Sequence, residues 1–251
     1  MKDKTDLLFG FHSVYEALRA GKRNFTGIMI SRNKTGERTG KIEAMAKERR
    51  IKIENVDPAF LDKMTDFSNH QGIAARTSGF PVKNAAEIVE KIGQDKTPCF
   101  ILVMENIEDP HNLGALIRTA LSAGVDYILI PRDRSAGPSS TVSRSSAGAM
   151  EHADIYMITN TAALLKSLKE KGVWVFGLDA DGDTSLFDAD LKGPIALVIG
   201  GENKGVRPLV KKECDFLLSI PNKGKINSLN ASVAGGIAMY EALRQRDDSR
   251  K

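Results

Sequence analysis

"CFILVMENIEDPHNLGALIRTALSAG", residues 99–124, decides the fold class. It opens with an apolar run that shows no alternation, the pattern of a strand buried on both faces of a parallel sheet. A turn carrying Asp109 and Pro110 follows, and a helical pattern then runs from about residue 112 to 123. The same alternation continues through "YILIP", a helix near 141–150, "IYMIT", "TAALLKSLKEKG" and "VWVFGLDA". "IALVIGGE", "VRPLVKKE", "FLLSIP" and a terminal helix complete it. Six strand candidates with helices between them predict a doubly wound parallel α/β sheet. Ligands of such sheets collect at the carboxyl ends of the strands.

Upstream, residues 1–78 read as a smaller α/β unit. "FHSVYEALRAG" is an amphipathic helix closed by Gly21, followed by the strand "GIMIS" and the helix "GKIEAMAKERR". "IKIENV" and "GIAARTSG" are further strands, and "DPAFLDKM" is a short helix with Asp57 placed to cap it and Pro58 in its first turn. Residues 79–97 are polar and flanked by prolines, which predicts a linker with one short helix. The expected domains are therefore 1–78, the linker 79–97, and 98–251.

The 251 residues are 41% hydrophobic and 27% charged, ordinary for a soluble globular protein. No apolar run is long enough for a membrane span, and charges interrupt the N-terminal pattern that a signal peptide would need, so a cytoplasmic protein is expected. Cys99 and Cys214 lie in apolar strand-like stretches and read as buried free thiols, with neither a disulfide framework nor a zinc site available. The net charge is +4, yet residues 19–52 hold eleven basic residues against three acidic ones. That density suits a phosphate backbone as well as it suits a solvated helix face.

Three polar clusters fall at strand ends. In the first, Asn112 is a candidate helix cap, while Arg118 sits among Leu113, Leu116, Ile117 and Leu121 and reads as partly buried. Such an arginine needs an internal acid or a bound anion. The second, "LVIGGENKGVRP", pairs two glycines with Glu202; glycines there let a backbone approach a ligand closely. The third is "SIPNKGK" followed by Ser228 and Asn230 ahead of a helix that contains the adjacent Gly235 and Gly236. With Ser232 there are three candidate caps for one helix, which leaves side chains for other work, and each glycine costs about 1 kcal/mol relative to alanine unless something packs closely there. No G-x-G-x-x-G follows a strand and no Walker A lysine is present, which argues against nicotinamide and nucleotide-triphosphate chemistry. Catalytic triads, carboxylate pairs and metal-ligand spacings are also missing, which points to a reaction driven by a cofactor.

In this order, "NLGALIRTA", "LVIGGENKGV" and "IPNKGKINSLNASVAGGIAMYEALR" resemble the three motifs of the SpoU family of RNA ribose 2′-O-methyltransferases, in the SPOUT superfamily. "GFHSVYEALRAG" and "NHQGIAA" are similar to the L30e-like substrate-binding domain of bacterial members that methylate a guanosine ribose in 23S rRNA. The resemblance implies a C-terminal parallel-sheet domain tied in a deep trefoil knot, a homodimer, and S-adenosylmethionine held by Gly200, Ile220 and Leu229. It makes Asn112, Arg118, Glu202, Ser228 and Asn230 the polar set of the transfer centre. Ser228 and Asn230 then also line the cofactor. Arg118 would activate the ribose hydroxyl with help from a substrate phosphate, and His111 is a competing base. A tRNA substrate, or a non-catalytic RNA-binding role on the same fold, is the alternative.

Overall fold

The computed structural model describes residues 5–92, 98–201, 205–224 and 228–248. Its contacts divide the chain into two units: residues 1–81 with 138–152, and residues 82–137 with 153–251.

The first unit runs β1 (Thr5–Phe9), α1 (Phe11–Ala20), β2 (Phe25–Ser31), α2 (Glu37–Glu48), β3 (Ile53–Val56), α3 (Pro58–Met64) and β4 (Ile73–Ser78). The strands form one sheet in the order β1-β4-β2-β3, parallel only between β2 and β3. In α1, Phe11, Val14, Ala17 and Leu18 are buried, the stripe a 3.6-residue period predicts. Gly21, at φ 66°, closes the helix by donating its N–H to the Ala17 carbonyl at 3.1 Å. Asp57 occupies the cap position of α3, but its side chain makes no capping hydrogen bond and pairs instead with Arg32 at 3.5 Å. Strand β1 escaped the sequence reading because "TDLLF" has no polar alternation and abuts a stronger helix signal.

The second unit begins with β5 (Lys83–Asn84) and α4 (Ala86–Lys91), so much of the expected linker is structured. β5 pairs with a later strand, and Ile88 of α4 is fully buried. Then come β6 (Phe100–Glu105), α5 (Pro110–Ser122) and β7 (Tyr127–Pro131). After β7 the chain crosses into the first unit for α6 (Ser140–Ser145) and a 3₁₀ turn, Ala149–His152. It returns as β8 (Ile155–Ile158), α7 (Thr161–Glu170), β9 (Trp174–Leu178), β10 (Thr184–Ser185), β11 (Ile195–Gly200), α8 (Pro208–Lys211), β12 (Phe216–Ser219) and α9 (Ala231–Asp248). The eight strands pair in the order β10-β12-β9-β11-β6-β7-β8-β5, every pair parallel.

All six residues of β6 are buried, as the apolar run required. Ile101 and Val103 face a core built with Ile88 of α4, Leu165 and Leu168 of α7, and Val210 of α8. α9 packs against the neighbouring strand β11 and against α5. Cys99 and Cys214 are half-buried rather than fully enclosed. Among the described residues, no helix is long and apolar enough to cross a membrane.

Within the first unit the 138–152 segment is anchored by charge. Arg23, buried to 4% exposure, is bonded through Nε and Nη2 to the two oxygens of the buried Glu151, at 2.7 and 3.0 Å. Its Nη1 meets Asp6 at 2.8 Å, and Ser143 donates to Glu151 at 2.8 Å. His152 lies 2.8 Å from Glu16. The helix expected near 141–150 is broken at Ala147 and Gly148, both at positive φ, where the His12 carbonyl and Glu16 side chain press on Gly148 and leave no room for a Cβ.

Candidate functional site

A cavity of about 600 Å³ opens at the carboxyl ends of β9, β11 and β12. Its walls come from Leu178–Ala180, Ile199–Gly201, Leu218 and Ile220, and from the run Ser228–Ala231. Gly200, Ile220, Ser228, Leu229 and Asn230, singled out from the sequence, all line it. Glu202 lies outside the described residues.

Two glycines build the floor, and they do so by letting protein backbones meet rather than by admitting a ligand alone. A Cβ on Gly200 would overlap the backbone of Gly205 and Val206, and one on Gly201 would overlap the Asn106 carbonyl. Gly205 donates its N–H to the Gly201 carbonyl at 2.8 Å, which closes the loop, and Gly201 donates to the Glu105 carbonyl at 2.9 Å. Glu105 itself is fully buried at the end of β6, paired with Arg207 and accepting from Thr161 Oγ1 at 2.9 Å. The Arg207 pair ties the stretch after Gly205 back to the central strand. A buried carboxylate stripped of such partners would be costly.

The structure corrects the expected cap of α5. The helix begins at Pro110, and Asp109 caps it by accepting from the N–H groups of His111 at 3.0 Å and Asn112 at 3.4 Å. Asn112 therefore sits inside the first turn. Its Oδ1 accepts from Asn230 Nδ2 at 3.1 Å. Asn230 in turn caps α9: its Oδ1 accepts from the Ser232 N–H at 2.9 Å, the Ser232 hydroxyl at 2.6 Å and the Val233 N–H at 3.3 Å. One side chain thus starts the last helix and binds it to α5.

The adjacent glycines of α9 divide the labour unequally. A Cβ on Gly235 would overlap Leu116 of α5 and lie 2.5 Å from Ile199 Cδ1 of β11, whereas one on Gly236 would find Thr119 Cγ2 at a comfortable 3.9 Å. Only Gly235 is needed for the close crossing.

Arg118 is exposed, contrary to the expected partial burial, and it does not line the cavity. At 100° per residue it lies about 120° around α5 from Asn112, on the same exposed side as His111. The apolar neighbours that suggested burial, Leu113, Leu116 and Ile117, occupy the opposite arc.

Two charged residues of the cavity lining carry no mark in the sequence. Asp179, just past β9, pairs with Lys211 of α8. Burial alone would raise the Asp179 carboxyl, but the Lys211 ammonium and the Asp181 N–H at 3.1 Å outweigh it and hold the group below its usual range. The strand-end rule, applied to the loop after β9, would have found this acid. Among the described residues, no group of three or more His, Cys, Asp or Glu could hold a metal ion.

The family model described as "SpoU rRNA Methylase family" matches residues 99–240, and one described as "RNA 2′-O ribose methyltransferase substrate binding" matches residues 7–82. The chain is 37% identical to the 23S rRNA (guanosine-2′-O-)-methyltransferase RlmB of Shewanella oneidensis, covering 97% of this chain and 98% of that protein. It is also 37% identical to the RlmB of Ralstonia nicotianae, covering 97% of each. Among solved structures, the SpoU methyltransferase AviRb from Streptomyces viridochromogenes superposes with a TM-score of 0.81 at 21% identity, over 97% of this chain and 91% of that one. Taken with the parallel sheet and the cavity at its strand ends, these matches establish that the chain belongs to the SpoU rRNA methylase family.

Proposed function

We propose that the protein transfers a methyl group from S-adenosylmethionine to the ribose 2′-hydroxyl of a guanosine in 23S rRNA. The observation that carries the proposal is the convergence of Gly200, Ile220, Ser228, Leu229 and Asn230 on one cavity, with Asn230 bonded to Asn112 at its side. The cavity fits the donor in size and in chemistry. About 600 Å³ lies within the range of small-molecule sites. Leu178, Ile199, Leu218, Ile220 and Leu229 offer apolar walls to an adenosyl group, and Asp179 and the Ser228 hydroxyl offer polar contacts.

When bound, the donor supplies an electrophilic methyl on a sulfonium, so no metal is needed. Ser228, Asn230 and Asn112 orient the ribose hydroxyl beside it, and near-attack positioning of this kind supplies much of the rate. Arg118 offers N–H donors and no acceptor, which suits an anion better than it suits proton abstraction. Its role in this reading is to hold a substrate phosphate, with the hydroxyl proton passing to that phosphate or to water. Arg118 is turned about 120° from Asn112 on its own helix, and in this reading a homodimer presents it to the partner's cavity. Glu202 completes the proposed polar set. His111 shares that exposed side of α5 and also lies outside the cavity lining, so it stays the competing base.

The reading extends to the architecture. In this reading the C-terminal segment forms a deep trefoil knot, and the close approach of Gly201 to the Asn106 carbonyl, far earlier in the chain, supports such packing. The first unit is an L30e-like RNA-holding domain and the second the methyltransferase, working in the cytoplasm. Tritiated methyl transfer from S-adenosylmethionine to unmodified 23S rRNA tests the function. Label fixed in the 2′-O-methylguanosine of 23S rRNA is the expected result. Label only in tRNA would move the substrate, and no label in either would leave a binding protein.

A further inference from the structure

Phe67 is the most exposed large apolar side chain among the described residues, at 77%. It is also held there by an unfavourable backbone. Asp66 and Phe67 are consecutive left-handed residues, φ 51° and 54°, a conformation that side chains with a Cβ disfavour. The segment is not loose. Phe67 donates its N–H to the Asp62 carbonyl at 2.7 Å, and Ser68 donates to the Thr65 carbonyl at 3.0 Å. The buried Thr65 hydroxyl bonds the Leu61 carbonyl at 2.9 Å. Downstream, His70 bridges Asp62 at 3.0 Å and the Gly72 N–H at 2.9 Å, and Gln71 Oε1 accepts from the Phe11 N–H at 3.1 Å. The bond from Phe67 to Asp62 is the one that commonly closes a helix through a left-handed residue, and it accounts for Asp66. The helix end does not require a second left-handed residue carrying a bulky, exposed side chain, and such outliers gather at binding sites.

We infer that Phe67 is a stacking platform for an unpaired base of the RNA substrate, an inference that rests on the RNA reading above. An exposed aromatic ring on a well-tied backbone is what sequence-tolerant base stacking uses. The surroundings favour nucleic acid: residues 5–81 carry thirteen basic against nine acidic side chains. Lys34 lies along Gly72 at the base of the loop, and the exposed Lys63 ends α3. The nearby acids Asp57 and Asp62 are engaged by Arg32 and His70. Asp66 is exposed beside the ring in sequence and disfavours a phosphate there, which leaves a base, not the backbone, as the occupant.

The test compares full-length wild type with Phe67→Gly and Phe67→Trp, using an unmodified 23S rRNA transcript at one fixed salt concentration and thermal melting alongside. Glycine relieves the strained backbone and removes the ring, so Phe67→Gly should melt no lower than wild type yet bind the transcript roughly 5- to 150-fold more weakly. Tryptophan should restore binding. Binding by Phe67→Gly within twofold of wild type overturns the inference, as does a lowered melting temperature, which would mean the ring packs rather than binds. A defect seen on ribosomal particles but not on naked transcript would overturn it in favour of a protein contact. A wild-type protein that neither binds nor methylates the transcript would instead sink the RNA reading itself.

Discussion

Asn230 donates its amide to Asn112, 118 residues earlier in the chain, while its own oxygen starts the last helix. The two jobs can be separated by substitution. Asn230→Asp keeps an acceptor for the cap, and Asp and Asn cap about equally well. It loses the donor to Asn112. Melting should stay near wild type while turnover falls by about tenfold or more. Asn230→Ala loses the cap too and should cost about 1 kcal/mol of stability. Paired melting curves and single-turnover methyl transfer check both; full activity in Asn230→Asp would remove the Asn112 tie from the transfer centre.

The two glycines of α9 make opposite predictions. Gly235→Ala drives a methyl into Leu116 and Ile199 and should destabilise by about 1–3 kcal/mol. Gly236→Ala meets only ordinary contact and should be neutral or stabilising by up to about 1 kcal/mol. Urea unfolding of the two variants decides it, and equal effects would contradict the crossing described.

Glu151 neutralises a guanidinium that water does not reach. Burial by itself would lower the proton affinity of Arg23, and the hydrogen bonds and charges of Glu151 and Asp6 raise it overall. Glu151→Ala should therefore cost about 3–5 kcal/mol. A fragment of residues 1–81 alone should fail to give a cooperative melt, and adding residues 138–152 in trans should restore one.

The thiols should be quiet. Burial, with Asp215 adding to it, pushes Cys214 up to about 12, and burial likewise raises Cys99. In the folded chain both remain protonated at pH 8, so a thiol reagent should label neither until denaturant is added. The folded value of Cys214 exceeds its unfolded one near 9.0. Its contribution to stability is thus complete below about pH 9 and is lost progressively as the pH rises toward about 12.

Arg118→Ala should abolish methyl transfer while leaving the affinity for S-adenosylmethionine within about twofold, because Arg118 is exposed and outside the cavity. Mixing it with an Asn230→Asp chain tests the proposed sharing of sites. Partial recovery of activity is expected if each cavity takes its arginine from the other copy.

Much of this was legible in the linear chain. The unbroken apolar run of β6 and the repeated strand–helix alternation were enough for a parallel sheet, because burial on both faces leaves no other pattern. Ser228 and Asn230 were legible because several small polar candidates competed for one cap, whereas Leu229 came only with the family resemblance. Other features depend on the third dimension. Asp109 outcompeted Asn112 as a cap because Pro110 suits the first helical position, which shifted the helix start by two residues. The burial of Arg118 was misjudged because linear neighbours on a helix face different directions. Glu151 and Arg23, 128 residues apart, share no local signal at all.

The polypeptide passes between its two units three times, after residues 81, 137 and 152. They are not beads on a string. Exchanging the first unit between relatives to redirect RNA choice would have to transplant two separate pieces of chain together. A chimera cut only at residue 81 would inherit one parent's Arg23 against the other parent's counter-charge, and its viability would turn on whether a single buried carboxylate happened to match.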